Sequence, residues 1–158
     1  MDTNFRRWAV SHEWIIEDSN SKCKLSANII ERYKEIPEDW LSFINRFNIC
    51  MNNTETTWFL LKENYEPKNE DEWRYNEFEI LSLESAQDDN EWIKEIHDFW
   101  DNNLPIIMSV GNGYEYYAIE IKSGAIVHGI EPEFEDVEKV ADSFNDFINL
   151  IIDGKIEI

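Results

Sequence analysis

Residues 104–130, LPIIMSVGNGYEYYAIEIKSGAIVHGI, decide the fold. Leu104, Ile106, Ile107, Met108 and Val110 make an apolar run, with Pro105 near its start and Gly111 at its end. Gly111-Asn112-Gly113 is a turn signal, because Gly and Asn tolerate the positive φ that tight turns require. Tyr114 to Ile121 is rich in aromatic and branched residues and reads as a second strand. Lys122-Ser123-Gly124 turns the chain again, into a third strand from Ala125 to Ile130. The expectation is a three-stranded antiparallel meander on which the other elements pack.

Outward from this centre the helical signals dominate. Trp92, Ile93, Ile96, Phe99 and Trp100 form a single apolar stripe, with Asp89 placed to cap the helix that carries it. Asn102-Asn103 ends that helix. A closing helix from Asp142 or Ser143 to Ile152 turns Val140, Phe144, Phe147, Ile148 and Ile151 one way, and Gly154 supplies its stop. Upstream, Ser26 precedes a helix over Ala27 to Glu35 with Ile29, Ile30 and Tyr33 inward, and Pro37 opens another that runs to Phe47. Phe5 to Ile16 reads as a short strand or an irregular arm packed by Trp8 and Trp14. Asn52-Asn53 is a turn, followed by a strand from Thr56 to Leu61 with Trp58 and Leu60 on one face. Lys62 to Glu72 reads as a surface loop and Phe78 to Leu83 as a strand leading into the next helix. Glu131 to Asp136 reads as an acidic link. The fold class is α+β, a central, mainly antiparallel sheet with helices packed against it. At 158 residues, without repeats or linkers, the chain reads as one domain, 1–158.

Charge is the most informative total. There are 14 basic and 34 acidic residues, a net of -20. Residues 1–46 hold 7 basic and 8 acidic residues, a net of -1, so the remainder carries 7 - 26 = -19. Solubility needs only a net magnitude of about 2–8. A field of this sign repels nucleic acid and anionic membrane surfaces and steers basic partners inward. Fourteen acids fall in two runs, Glu84 to Asp101 and Glu131 to Asp146, broken only by Lys94 and Lys139. They flank a meander with Tyr114, Tyr116 and Tyr117, a combination that suits an interface as well as a solvated face. No run approaches the roughly 18 apolar residues of a membrane span, and no apolar segment follows Arg6 and Arg7 as in an export signal. Cys23 and Cys50 lack metal-ligand spacing, and two reduced thiols fit better than a disulfide. The expectation is a soluble, cytoplasmic protein, monomeric or weakly dimeric, that binds neither nucleic acid nor membrane.

Catalytic chemistry finds little support. His12, His97 and His128 stand near no identifiable nucleophile elbow and read as packing or surface residues. No H-x-x-H or H-E-x-x-H occurs. Gly111-Asn112-Gly113 is too short for a dinucleotide fingerprint, and Tyr114 would obstruct a phosphate. Glu120-Ile121-Lys122, with Asp101 upstream, mimics the carboxylate-plus-lysine set of metal-dependent nucleases. The surrounding negative charge opposes that reading, since it would repel a DNA backbone. No catalytic residue, metal site or cofactor is expected.

Several stretches together resemble the SMI1/KNR4 family of the SUKH superfamily. Tyr33-Lys34-Glu35-Ile36-Pro37-Glu38-Asp39-Trp40, followed by Phe43, resembles the family's helix start, with Ile36 where Leu is frequent. Val110 to Ile119 is similar to its glycine-marked strand pair, and Gly124 to His128 to the strand that follows. Ala141-Asp142-Ser143-Phe144-Asn145-Asp146-Phe147-Ile148 resembles its closing helix. The similarity spans about Ile29 to Ile152, leaving an N-terminal arm, 1–24, outside it. The Asn-Gly-Gly frequent after the second helix is replaced here by Phe47-Asn48-Ile49-Cys50. The resemblance implies an α+β fold, no catalytic residues, and a bacterial immunity role: binding and neutralising a toxin domain, often a nuclease and therefore basic. It equally permits a non-catalytic regulatory scaffold; a small metal-dependent enzyme using Glu120 and Lys122 stands as the third reading. The residues expected to touch the partner are Asp98, Asp101, Glu115, Tyr117, Glu133 and Asp136.

Overall fold

The 104–130 stretch folds as the expected meander and proves to be the middle of a larger one. The computed structural model describes residues 2–20, 24–66 and 73–158. Among these, seven strands run in chain order across one sheet: β1 (Ile15–Asp18), β2 (Phe47–Met51), β3 (Thr57–Phe59), β4 (Asn103–Ser109), β5 (Tyr114–Glu120), β6 (Ile126–Glu131) and β7 (Glu138–Ala141). Each pairs antiparallel with the next. The helices are α1 (Asp2–Ser11), α2 (Ala27–Arg32), α3 (Glu38–Ile44), α4 (Lys62–Tyr65), α5 (Glu77–Ala86), α6 (Asn90–Trp100) and α7 (Phe144–Ile152). The fold is α+β.

Register sorts the side chains onto two faces. Trp58, Met108, Tyr116 and Gly129 lie in one cross-strand row, and Phe59, Ile107, Tyr117 and His128 in the next, pointing the other way. α5 and α6 cover the first face, where Phe78 and Trp100 pack on Tyr116. α1, α3 and α7 cover the second: Phe5 and Phe43 meet Phe59, Phe43 meets Phe144, and Phe147 meets Tyr117. With both faces covered, Tyr116 to Ile119 is buried without alternation, as a central strand requires.

Two helices form where capping and apolar stripe agree. Asp89 accepts hydrogen bonds from the Glu91 and Trp92 amides at the head of α6. Ser143 accepts one from the Asp146 amide at the head of α7. Gly154, at φ +67°, ends α7 in the left-handed conformation, with its own amide on the Ile151 carbonyl.

Elsewhere the expectations need correction. Phe5 to Ser11 belongs to α1, whose Phe5, Trp8 and Ala9 fall at helical spacing and are buried, while Val10 is 69% exposed. Only Ile15 and Ile16 of that stretch enter a strand. The helix expected from Pro37 to Phe47 stops at Ile44, and Phe47 opens β2. The helix from Ala27 ends at Arg32; Ile29 is buried, Ile30 is exposed, and the Ser26 side chain makes no cap bond. The strand expected from Thr56 to Leu61 with Trp58 and Leu60 on one face is shorter, Thr57–Phe59, so Leu60 lies beyond it; within it Thr57 and Phe59 are buried and Trp58 is half-buried. Phe78 to Leu83 lies in α5. The acidic link is followed by an unexpected edge strand, β7, and its Glu131–Pro132 bond is cis. Lys62 to Tyr65 form a helical turn, and the rest of that expected loop, 67–72, lies outside the described residues.

Candidate functional site

The acidic runs lie where their elements put them. The seven acids from Glu84 to Asp101 are all exposed, on the outer surface of α5 and α6 and the turn between them. In the second run Glu133, Glu135, Asp136, Glu138, Asp142 and Asp146 are exposed and Glu131 is half-buried. One aromatic joins the two runs. Phe134, buried in the β6–β7 link, packs against Phe99 at 5.2 Å and Trp100 at 6.2 Å, and its carbonyl accepts the Tyr116 hydroxyl. The link is thereby fastened over α6. The Asp136 amide donates to the Glu133 carbonyl at 3.0 Å, closing a turn that leaves both carboxylates in solvent.

Of the six expected contacts, Asp98, Asp101, Glu133 and Asp136 share this side of the sheet. Asp98 is paired with Lys94, one helical turn away. Asp101 accepts from Arg32 Nε at 2.8 Å. Glu115 and Tyr117 point to the opposite face. Glu115 pairs with His128 at 3.1 Å, and Tyr117 is 8% exposed, its ring between His128 and Phe147. Burial raises the Tyr117 hydroxyl to about 12, with the Glu115 charge adding to it. The exposed aromatic of the meander is Tyr114, at 44%.

The histidines are engaged in packing and pairing. His97 Nδ1 lies 3.1 Å from Glu79 Oε1, and Glu79 is itself held by Arg32. His12 Nδ1 donates to the Trp8 carbonyl at 2.8 Å, so it offers no base to the neighbouring Ser11 hydroxyl, which turns to the same carbonyl. Glu120 accepts from Ser123, and Asp101 is tied to Arg32, so the carboxylates of the nuclease-like set have other partners. Among the described residues no group of three or more His, Cys, Asp or Glu is placed to hold a metal ion. Cys50 is a free, buried thiol whose pKa burial pushes up; Cys23 lies outside the described residues.

A cleft of about 370 Å³ opens between α5, α6 and the β5–β6 pair. Trp92 and Tyr114 form aromatic walls, Leu81 lies at its side, and Ser82, Glu84 and Glu131 supply the polar groups. Among the described residues no basic one lines it. Ser82 donates to Glu131 Oε2 at 3.2 Å. Trp92 is 37% exposed, unusually open for a residue of an apolar helical stripe. The sequence places Trp92 in an apolar helical stripe and Phe78–Leu83 in a strand, a reading that hides the cleft. Phe78, Ser82 and Ala86 are buried at i, i+4 and i+8 of α5, but the polar Ser82 and the buried Glu79 beside it break the apolar stripe by which that helix would be read. A larger hollow of about 510 Å³ lies between Trp58 and Trp73.

No helix among the described residues is long and apolar enough to cross a membrane. No curated protein and no solved structure matches the chain. The model of the SMI1 / KNR4 family (SUKH-1) matches residues 54–150, from the turn before β3 to the later part of α7. That span holds the meander, the α5–α6 pair, the link and the closing helix; the Tyr33–Phe43 similarity lies upstream of it. With well over half of its length matched, the chain belongs to the SMI1 / KNR4 family (SUKH-1).

Proposed function

We propose that this is a non-catalytic, immunity-like protein that binds and blocks a basic toxin domain in the cytoplasm. Family membership supports a protein–protein role. The observation that carries the reading is the single flank formed by α6 and the Phe134-fastened link, where exposed carboxylates from two distant parts of the sequence lie on one side of the sheet. Such a flank speeds encounter with a cationic partner and disfavours anionic ones. A nuclease toxin needs a cationic surface for its own substrate, so a carboxylate-rich protein can occlude that surface directly.

The test is calorimetric titration of this chain with the purified product of a neighbouring toxin-like reading frame, at about 0.05 and 0.5 M salt. Binding that weakens at least about tenfold at the higher salt, together with suppression of the toxin's activity, is the expected result. Salt-insensitive binding would favour a regulatory scaffold, and absence of binding would remove the proposal.

A further inference from the structure

We propose that the cleft between α5, α6 and β5–β6 receives one arginine side chain of the protein partner, its guanidinium against Trp92 and Tyr114 and its charge on Glu131. The inference rests on the reading above for the partner's charge, and adds where and how one cation is taken.

Three features select that occupant. The first is shape. A cleft of about 370 Å³ is ample for a single long side chain. Its two aromatic walls stand unusually open to solvent, Trp92 at 37% and Tyr114 at 44%. A guanidinium laid on such faces gains from the ring quadrupoles and from replacing water on both surfaces.

The second is charge. Among the described residues neither Lys, Arg nor His pairs with Glu131, whose contact in the cleft is the Ser82 hydroxyl. Burial, reinforced by the charges of Glu135 and Glu133, pushes the Glu131 carboxyl up to about 7, and the Ser82 bond only partly opposes this. A carboxylate that has lost hydration and gained no cation is the group a cationic ligand would stabilise most. Glu84, also lining the cleft, adds charge of the same sign at the rim.

The third is geometry at the cleft floor. Ser82 donates to Oε2 at 3.2 Å and to Oε1 at 3.4 Å and so holds the carboxyl group in place without neutralising it. Arginine suits this arrangement better than lysine. Its planar group stacks on an aromatic face, reaches a carboxylate through two parallel donors and gives up water more readily than an ammonium.

The experiment is a titration of the full-length, nitrogen-15-labelled chain with N-acetyl-arginine N-methylamide, followed through the indole N–H resonances. The Trp92 signal is assigned by its loss in Trp92→Phe. Expected is a saturable shift of the Trp92 indole with a millimolar dissociation constant, the scale for one side chain. N-acetyl-norleucine N-methylamide should give no such shift, and the lysine analogue a weaker one. Glu131→Gln, shown by its near-ultraviolet circular dichroism to be folded, should weaken the arginine analogue about tenfold. No saturable shift at Trp92, or an undiminished one in Glu131→Gln, overturns the assignment. These readouts need no toxin. If the wild-type chain passes them but binds no toxin, the cleft stands and the proposed function fails. If toxin binding is unchanged in Glu131→Gln and Trp92→Ala, the function stands and the cleft assignment fails.

Discussion

Arg32 holds Glu79 in a two-bond fork, Nη2 to Oε1 at 2.8 Å and Nη1 to Oε2 at 2.9 Å, with Glu79 only 4% exposed. Burial is the largest single influence and works against the Arg32 charge, but the Glu79 bonds and charge, together with Tyr33 and Tyr75, outweigh it and leave the guanidinium's pKa raised. Nη1 also donates to the Tyr75 hydroxyl and Nε reaches Asp101, so one side chain of α2 ties α5 to the end of α6. Arg32→Met would leave the buried Glu79 carboxylate with His97, a half-exposed imidazole, as its remaining side-chain partner among the described residues, and a loss of about 3 kcal/mol in urea unfolding, the lower end for a broken buried pair, is expected. Arg32→Met combined with Glu79→Leu should recover most of that loss, because an apolar pair of similar volume carries no stranded charge. If the double variant is as unstable as the single one, the fork is not the source of the effect.

Gly129 lies beneath the Tyr116 ring. The two residues are directly paired across β5 and β6, and a Cβ at Gly129 would overlap the end of the ring and its hydroxyl. That ring cannot lift away freely, since its hydroxyl bonds the Phe134 carbonyl and its face meets Trp100 at 4.9 Å. Gly129→Ala should therefore destabilise the protein by about 1–3 kcal/mol, the range for overpacking a full core. A smaller residue at 116, as in Tyr116→Leu, should make the same glycine substitution less costly. Additive losses in that double-mutant cycle would contradict the geometry.

How legible the fold was depended on whether apolar pattern and burial coincided. The meander, α6 and α7 were readable because turn residues, caps and stripes all agreed. In α5 they did not: its buried face carries Glu79 and Ser82 beside Phe78 and Ala86, each polar group satisfied by a partner far along the chain, Arg32 or Glu131. That composition erases the helical stripe and leaves an apparent alternation. In α1 the exposed Val10 imitated a strand partner for Trp8. β7 is a four-residue edge strand with exposed Glu138 and Lys139, and its one large apolar residue, Val140, falls at a spacing that reads as part of the closing-helix stripe, although α7 begins only at Phe144. Of the residues expected to touch a partner, the exposure of Asp98, Asp101, Glu133 and Asp136 follows from their charge alone. Tyr117 was not excluded, because neighbouring tyrosines on one strand face opposite ways and only the register says which is covered.

Asp89 sets both the start of α6 and the position of Trp92. Its carboxylate accepts the Glu91 and Trp92 amides at 3.1 Å each, satisfying two otherwise orphaned donors near the positive end of the helix dipole. Asp89→Ala should cost about 1 kcal/mol of stability by chemical denaturation. Asp89→Asn, which keeps an accepting oxygen, should cost less. Equal losses in the two variants would place the effect outside the cap.

Glu131 gives the chain a pH-dependent stability whose sign runs opposite to that of most carboxylates. Its folded value of about 7 lies above the ordinary 4.5, chiefly through burial and then through Glu135 and Glu133, against the Ser82 bond. The neighbouring groups that face it are Ser82 and Glu84 from α5, Trp92 from α6, Tyr114 and Tyr116 from β5, and those two link acids. Below pH 4.5 both folded and unfolded chains carry the proton, so there is no penalty. Between that pH and about 7 the unfolded chain ionises first, the folded chain binds more protons, and stability falls as pH rises. Above about 7 the full penalty applies; allowing for the solvent that still reaches the carboxyl group, it is about 1–2 kcal/mol. Glu131→Gln should accordingly unfold at higher denaturant than the wild type at about pH 8, and at nearly the same denaturant at about pH 4. The comparison between variants isolates this group from the general charge repulsion of an acidic chain, which both share. A difference independent of pH would mean that Glu131 is not the carboxyl group whose ionisation strains the folded state.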